Sequence, residues 1–186
     1  MRNFRRLGIL VLLLVVVVSA QRRRRDPLTD AEADQMREVA QEPEKRIKLV
    51  IKFAQARLQA IEQLRGDPKM AKGRGKQIHD LLEDFTTLVD ELGDNVEMYA
   101  RRKDDIHKAV GQVIATDSEF QLQLRALKDA AADPKTAQEA KDYEFALQNA
   151  IDAVDANLQD SRDLLQQIAK EKPEAKGAEK KKKDKD

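Results

Sequence analysis

From Ile78 onward the chain places an apolar residue at every seventh position. Ile78, Phe85, Leu92, Tyr99, Ile106, Val113, Phe120 and Leu127 form one row, and Leu82, Val89, Val96, Val110 and Leu124 form the row beside it, with Lys103 interrupting the second. A seven-residue apolar repeat keeps one stripe of an α-helix facing a partner, so it demands helices packed side by side in coiled-coil fashion. Strand-forming residues are scarce, with only five Thr among residues 21–186, and apolar spacing runs in threes and fours rather than twos. The expected fold is therefore all-α, an elongated antiparallel three- to four-helix bundle with coiled-coil-like long helices.

The prolines mark where those helices stop. Pro27, Pro43, Pro68, Pro134 and Pro173 all fall between periodic stretches, where a missing N–H and a fixed φ cost least. Thr29 and Glu32 have capping-box spacing, predicting a first helix over 30–41. A second, over 44–65, carries Ile47, Val50, Ile51, Ala54, Leu58, Ile61 and Leu64 on one side, and Gly66-Asp67-Pro68 ends it. A basic loop follows to Lys76. The unbroken heptad phase then predicts one nearly continuous helix over 76–131, about 84 Å long at 1.5 Å per residue, with Gly93 and Gly111 turned away from the apolar rows. After Asp133-Pro134 a last helix is expected over 135–171, antiparallel to its predecessor. The bundle thus spans 30–171, and a Lys-rich tail over 172–186 is expected to be solvated and disordered.

The N-terminus has a different character. Arg2, Arg5 and Arg6 precede an apolar run from Leu7 to Val18, and Val18-Ser19-Ala20 suits signal-peptidase cleavage after Ala20. The run is about 12 residues against the ~20 that a spanning helix needs. Residues 1–20 are therefore read as a signal peptide, and the expected location is periplasmic or secreted from a bacterium. The alternative is an inner-membrane anchor formed by residues 7–20, favoured by the positive block Arg22, Arg23, Arg24 and Arg25, which resists translocation. That block lies in a basic linker over 21–29 and is a candidate contact for anionic lipid or another anion. Between the basic ends, residues 26–169 hold 20 Lys or Arg against 29 Asp or Glu. An acidic body of this kind argues against nucleic acid as a partner.

Chemistry-bearing residues are few. There is no Cys and no Trp, which excludes disulfide frameworks, zinc-thiolate and iron–sulfur sites. Beyond residue 20 there are two Ser, at 118 and 161, read as capping or surface residues, and no phosphate-cradling glycine loop. Asp80, Glu83, Asp84, Asp90 and Glu91 read as a solvated helix face, and the charged block 101–105 as a wet waist in the long helix. No catalytic residue and no cofactor is expected. The only metal candidates are Asp104-x-x-His107, which share a helix face, and His79, about 42 Å from His107 on an unbroken helix. Leu49, Phe53, Leu122 and Phe145 fall outside or at the margin of their stripes and are the candidate partner-binding residues. Together these features point to a non-enzymatic exported interaction protein, a periplasmic scaffold or holdase-like binder that engages a protein partner or a second copy. The alternatives are a metal- or small-ligand-binding bundle and a membrane-tethered helical spacer.

Overall fold

The computed structural model describes residues 26–183, with side chains described to Lys170. The N-terminal segment read as a signal peptide and the block Arg22 to Arg25 lie outside the described residues. Those described are all-α, without a strand. Helix α1 spans Asp30–Glu38, α2 Pro43–Gly66, α3 Arg74–Arg101, α4 His107–Ala131, α5 Ala137–Ala140 and α6 Glu144–Lys183, with a 3-10 turn at Pro68–Met70 after α2. None of them is long and apolar enough to cross a membrane.

Local chemistry explains most boundaries. The capping box at α1 forms as expected: Glu32 N–H donates to Thr29 Oγ1 at 3.3 Å, and Thr29 N–H to Glu32 Oε2 at 2.8 Å. Pro43 occupies the first turn of α2, where its missing N–H is harmless. The last helix starts later than residue 135, because residues 132–143 are taken up by turns and the single turn of α5. It also continues past Glu171 and through Pro173 to Lys183.

The single long helix over 76–131 does not exist. The chain runs through Gly93 without a break and turns at residues 102–106, inside the charged block, to give α3 and α4 in place of one rod. The turn is a Schellman motif: Asp104 N–H donates to Tyr99 O at 3.0 Å and Lys103 N–H to Ala100 O at 2.9 Å. Lys103 sits in the left-handed region at φ 62°, a position usually filled by glycine. The block is thus a reversal and not a wet waist. The heptad prediction of burial nonetheless holds, since every apolar member of both rows is buried. Tyr99, in the last turn of α3, and Ile106, just before α4, both enter the core from the turn's two sides, so the count of seven survives a change of direction.

Four helices, α2, α3, α4 and α6, make the bundle. The sides of the square run α2 to α3, α3 to α6, α6 to α4, and more sparsely α4 to α2. The consecutive helices α3 and α4 therefore lie across a diagonal, where Phe85 and Phe120 meet edge to face with ring centroids 5.1 Å apart. Short connections make α2 antiparallel to α3, and pairs such as Lys128 with Gln148 and Asn157 with Asp117 make α4 antiparallel to α6. The pairing of α3 with α6 is parallel, because Arg74 meets Glu139 at one end while Gly93 meets Asn157 further along. Burying each large apolar side chain is worth about 1.5–3 kcal/mol, and both rows converge on the square's centre. Short α1 packs on the outside of α2 through Met36.

Candidate functional site

Parallel helices have no tight loop between them, and along the α3–α6 seam the core becomes polar. Gly93 of α3 faces α6, not solvent: a Cβ there would stand 2.9 Å from Asn157 Oδ1. Asn157 Nδ2 donates at 2.9 Å to Oδ2 of Asp117 from α4, the opposite corner. Asp117 is 0% exposed, its Oδ1 has no hydrogen-bond partner, and desolvation pushes its pKa up to about 7, opposed in part by the Asn157 bond. One turn beyond Asn157, Ser161 is 2% exposed and its Oγ is likewise unpartnered. It is neither a cap nor a surface residue.

Outside this polar layer a groove follows the seam. Its deeper end, of about 1110 Å³, lies between α3, the 102–106 turn and α6. Ser161 lines it, above an apolar floor that includes Val96, Ile106 and Leu164. Asp90, Asp94, Glu97, Asp104, Asp105, Asp160 and Asp163 surround the floor against three basic side chains, Arg101, Lys103 and His107. The groove continues toward the start of α3 as a second hollow of about 950 Å³, sharing Asp90 and Asp94 and adding Asp26, Asp80, Glu83, Asp84 and Glu91, with no basic side chain in its lining. Its rim is therefore not uniformly a solvated face: Asp84 is buried, with Oδ2 4.0 Å from Arg57 Nε.

Arg57, on α2, organises this end. Its guanidinium donates from Nη1 to Glu32 Oε1 at 2.8 Å and from Nη2 to Glu32 Oε2 at 2.6 Å, and Nη2 also reaches Pro27 O at 2.6 Å. A bidentate, charge-assisted pair of this kind is strong and directional. The Arg57 hydrogen bond lowers the Glu32 pKa to about 2 against the opposing effect of burial. The segment 27–32 is thereby fastened to α2, and Asp26 is held at the groove.

The residues singled out from sequence are scattered. Asp104 lies in the turn and His107 begins α4, so their spacing does not place them on one helical face. Asp104 Oδ2 is instead 3.3 Å from Arg102 Nε. His79 lies near the other end of α3, and the reversal at 102–106 leaves it about 30 Å from His107 at 1.5 Å per helical residue. His79, Asp80 and Glu83 do bring one potential ligand atom each within 4.8 Å of one another. Both imidazole nitrogens face a carboxylate, at 3.6 Å and 3.9 Å, a geometry that needs no metal. Of the apolar candidates, Phe53 is 3% exposed and belongs to the core, and Leu49 packs half-buried against it, because α2 is enclosed by α1 and α3 as well as α4. Leu122 and Phe145 remain 69% and 82% exposed.

Sequence reasoning missed Asp117, Asn157 and Arg57, and it read the buried Ser161 as a capping or surface residue. A signal for the first was present: Asp117 falls seven residues after Val110 and seven before Leu124, in the row that Lys103 also interrupts. One charge marks a reversal of the chain and the other a buried acid. Ser161 Oγ has no hydrogen-bonded base of the kind a nucleophilic serine requires, and Asp117 does not line the groove. The fold defines an all-α helical bundle. Comparison with known protein families, curated proteins and solved structures found no match.

Proposed function

We propose that this is a non-enzymatic exported interaction protein whose α3–α6 groove receives a cationic, amphipathic segment of a partner protein. The observation that carries the reading is the groove's composition, seven carboxylates against three basic groups around an apolar floor at its deeper end. Carboxylates at that density attract a basic segment over a distance set by ionic strength, and the floor accepts its apolar face. Ser161 Oγ, buried and unpartnered on the wall, supplies a hydrogen-bonding group that an occupant can satisfy. Export rests on the pattern of residues 1–20. The exposed Leu122 and Phe145 are a smaller second surface, on different helices, that suits self-association or weak contact with nonpolar clients.

The test is calorimetric titration of the full chain with a synthetic amphipathic Arg/Leu helix and with its Glu/Leu counterpart. The expected outcome is binding of the basic peptide only, weakening several-fold between about 50 mM and about 500 mM salt. Binding of neither peptide, or equal binding of both, refutes the reading.

A divalent cation is the second reading, supported by the convergence of His79, Asp80 and Glu83 within 4.8 Å. A specific site raises thermal stability by about 2.7 kcal/mol at a hundredfold excess over its dissociation constant. An unchanged midpoint across a zinc series, in the full chain and in His79→Ala alike, removes it.

A further inference from the structure

Two acceptors stand near each other on α6 without a donor. Asn157 and Ser161 lie one turn apart, with about 5–6 Å between their Cβ atoms, and both line the deeper end of the groove. The Asn157 amide is oriented from the core side, where Nδ2 donates to Asp117 Oδ2 at 2.9 Å. Its Oδ1 therefore faces Gly93, 2.9 Å from where a Cβ would stand, and accepts no hydrogen bond among the described residues. Ser161 is 2% exposed and its Oγ is unpartnered. A buried hydroxyl without a partner carries a desolvation cost that a ligand able to bond it removes. Asp117 stands behind this pair with its own Oδ1 unpartnered. No charged side chain of α2, α3 or α6 adds to the two influences on its carboxyl, which are burial and the Asn157 bond.

We propose that Asn157 Oδ1 and Ser161 Oγ form an anchor subsite for one lysine ammonium of the partner segment, with Asp117 behind Asn157 as its counter-charge. An ammonium carries three rotatable donors and reaches acceptors on successive turns. A guanidinium's planar fork matches instead the paired oxygens of one carboxylate, which this strip of α6 does not offer. The lysine stem crosses the apolar floor at Val96 and Leu164. A cation taken this far from water needs an opposite charge near it. Asp117 supplies that charge through the Asn157 amide, whose Nδ2 points to the carboxylate and whose Oδ1 points away from it. Glu97 and Asp160 add to it from the rim. Burial pushes the Asp117 pKa up to about 7, so a bound cation draws the carboxyl toward its charged form and binding expels a proton near neutral pH. Among the groove's own side chains His107 is of the type that exchanges a proton in the same range, and it is the control. The subsite stands on the geometry of α6, whereas its occupation by a partner's lysine rests on the function proposed above.

The amphipathic Arg/Leu helix, made with Lys, Arg or norleucine at one central position, is titrated into the full chain. The Lys peptide is expected to bind about fivefold tighter or more than the other two, and Ser161→Ala or the isosteric Asp117→Asn is expected to cut that preference below about twofold. Calorimetry in buffers of different ionisation enthalpy reads the proton. At about pH 7, release of up to about half a proton is expected with the Lys peptide in wild type and in His107→Gln, and none in Asp117→Asn. Equal binding of the Lys and Arg peptides, or a Lys preference that survives both substitutions, overturns the subsite and leaves the proposed function standing. Proton release that persists in Asp117→Asn, or vanishes in His107→Gln, overturns Asp117 as the counter-charge. If no peptide binds, the proposed function falls, and Nα-acetyl-lysine methylamide compared with its norleucine analogue decides the subsite alone. Amide shifts at Gly93, Asn157 and Ser161 with the lysine compound only sustain it, and their absence overturns it.

Discussion

Asp117 and Glu32 make opposite contributions to the pH dependence of stability. The Asp117 pKa rises from 3.8 to about 7 on folding, so between those values the folded state binds more protons than the unfolded chain and stability falls as pH rises. Above pH 7 the ionised, buried carboxylate costs about 4 kcal/mol. Glu32 moves the other way, from 4.5 to about 2, so its contribution is complete above pH 4.5 and disappears as pH falls toward 2. Thermal melts are expected to show maximum stability at about pH 4, where the two slopes cancel. Asp117→Asn should flatten the upper limb and raise stability at pH 8, and Arg57→Met should abolish the Glu32 contribution at low pH. An upper limb unchanged in Asp117→Asn would show that another group titrates there. Lys103 is a simpler case: its left-handed conformation is strained for a residue with a Cβ, so Lys103→Gly should stabilise the fold by about 0.5–1 kcal/mol, read as a higher denaturant midpoint at constant slope.

At the scale of helices, burial was written plainly in the sequence and direction was not. The heptad rows identify the core faces of α3 and α4 correctly because apolar periodicity reports which side a residue occupies. Tyr99 and Ile106 keep that spacing across a reversal, and neither periodicity nor glycine placement reveals it: Gly93 is mid-helix, while a lysine takes the left-handed position. The acidic groove was legible only as charge, since its walls come from the parallel pairing of α3 with α6, which are separated in sequence by α4. Gly75 belongs to the same long-range geometry. A Cβ there would lie 2.9 Å from Glu139 O and 2.6 Å from Asp142 Oδ2, where the start of α3 crosses the α5–α6 connection. The adjacent Arg74–Glu139 pair, at 2.8 Å, resists any shift. Gly75→Ala should therefore cost about 1–3 kcal/mol despite its better helix propensity, whereas Gly111→Ala, with nothing within 4 Å, should gain about 0.5–1 kcal/mol. Equal effects at the two glycines in equilibrium unfolding would contradict the close approach at Gly75.

For the whole molecule, the charge distribution predicts an unusual response to salt. Residues 26–169 carry nine more acidic than basic side chains, and the parallel α3–α6 pairing gathers Asp90, Asp94 and Glu97 near Asp160 and Asp163. Against this self-repulsion stand the cross-element ion pairs Arg57–Glu32, Arg46–Glu91 and Arg74–Glu139, each partly shielded from solvent. Screening over a Debye length of about 10 Å at 0.1 M weakens the spread of like charge more than close, shielded pairs. Moving from about 20 mM to about 300 mM salt should therefore raise the thermal midpoint, by about 2–4 °C for each kcal/mol of repulsion relieved. Melts across a salt series decide the point, and a midpoint that falls with salt would mean that the three bridges, and not the acidic seam, dominate the electrostatics of this bundle.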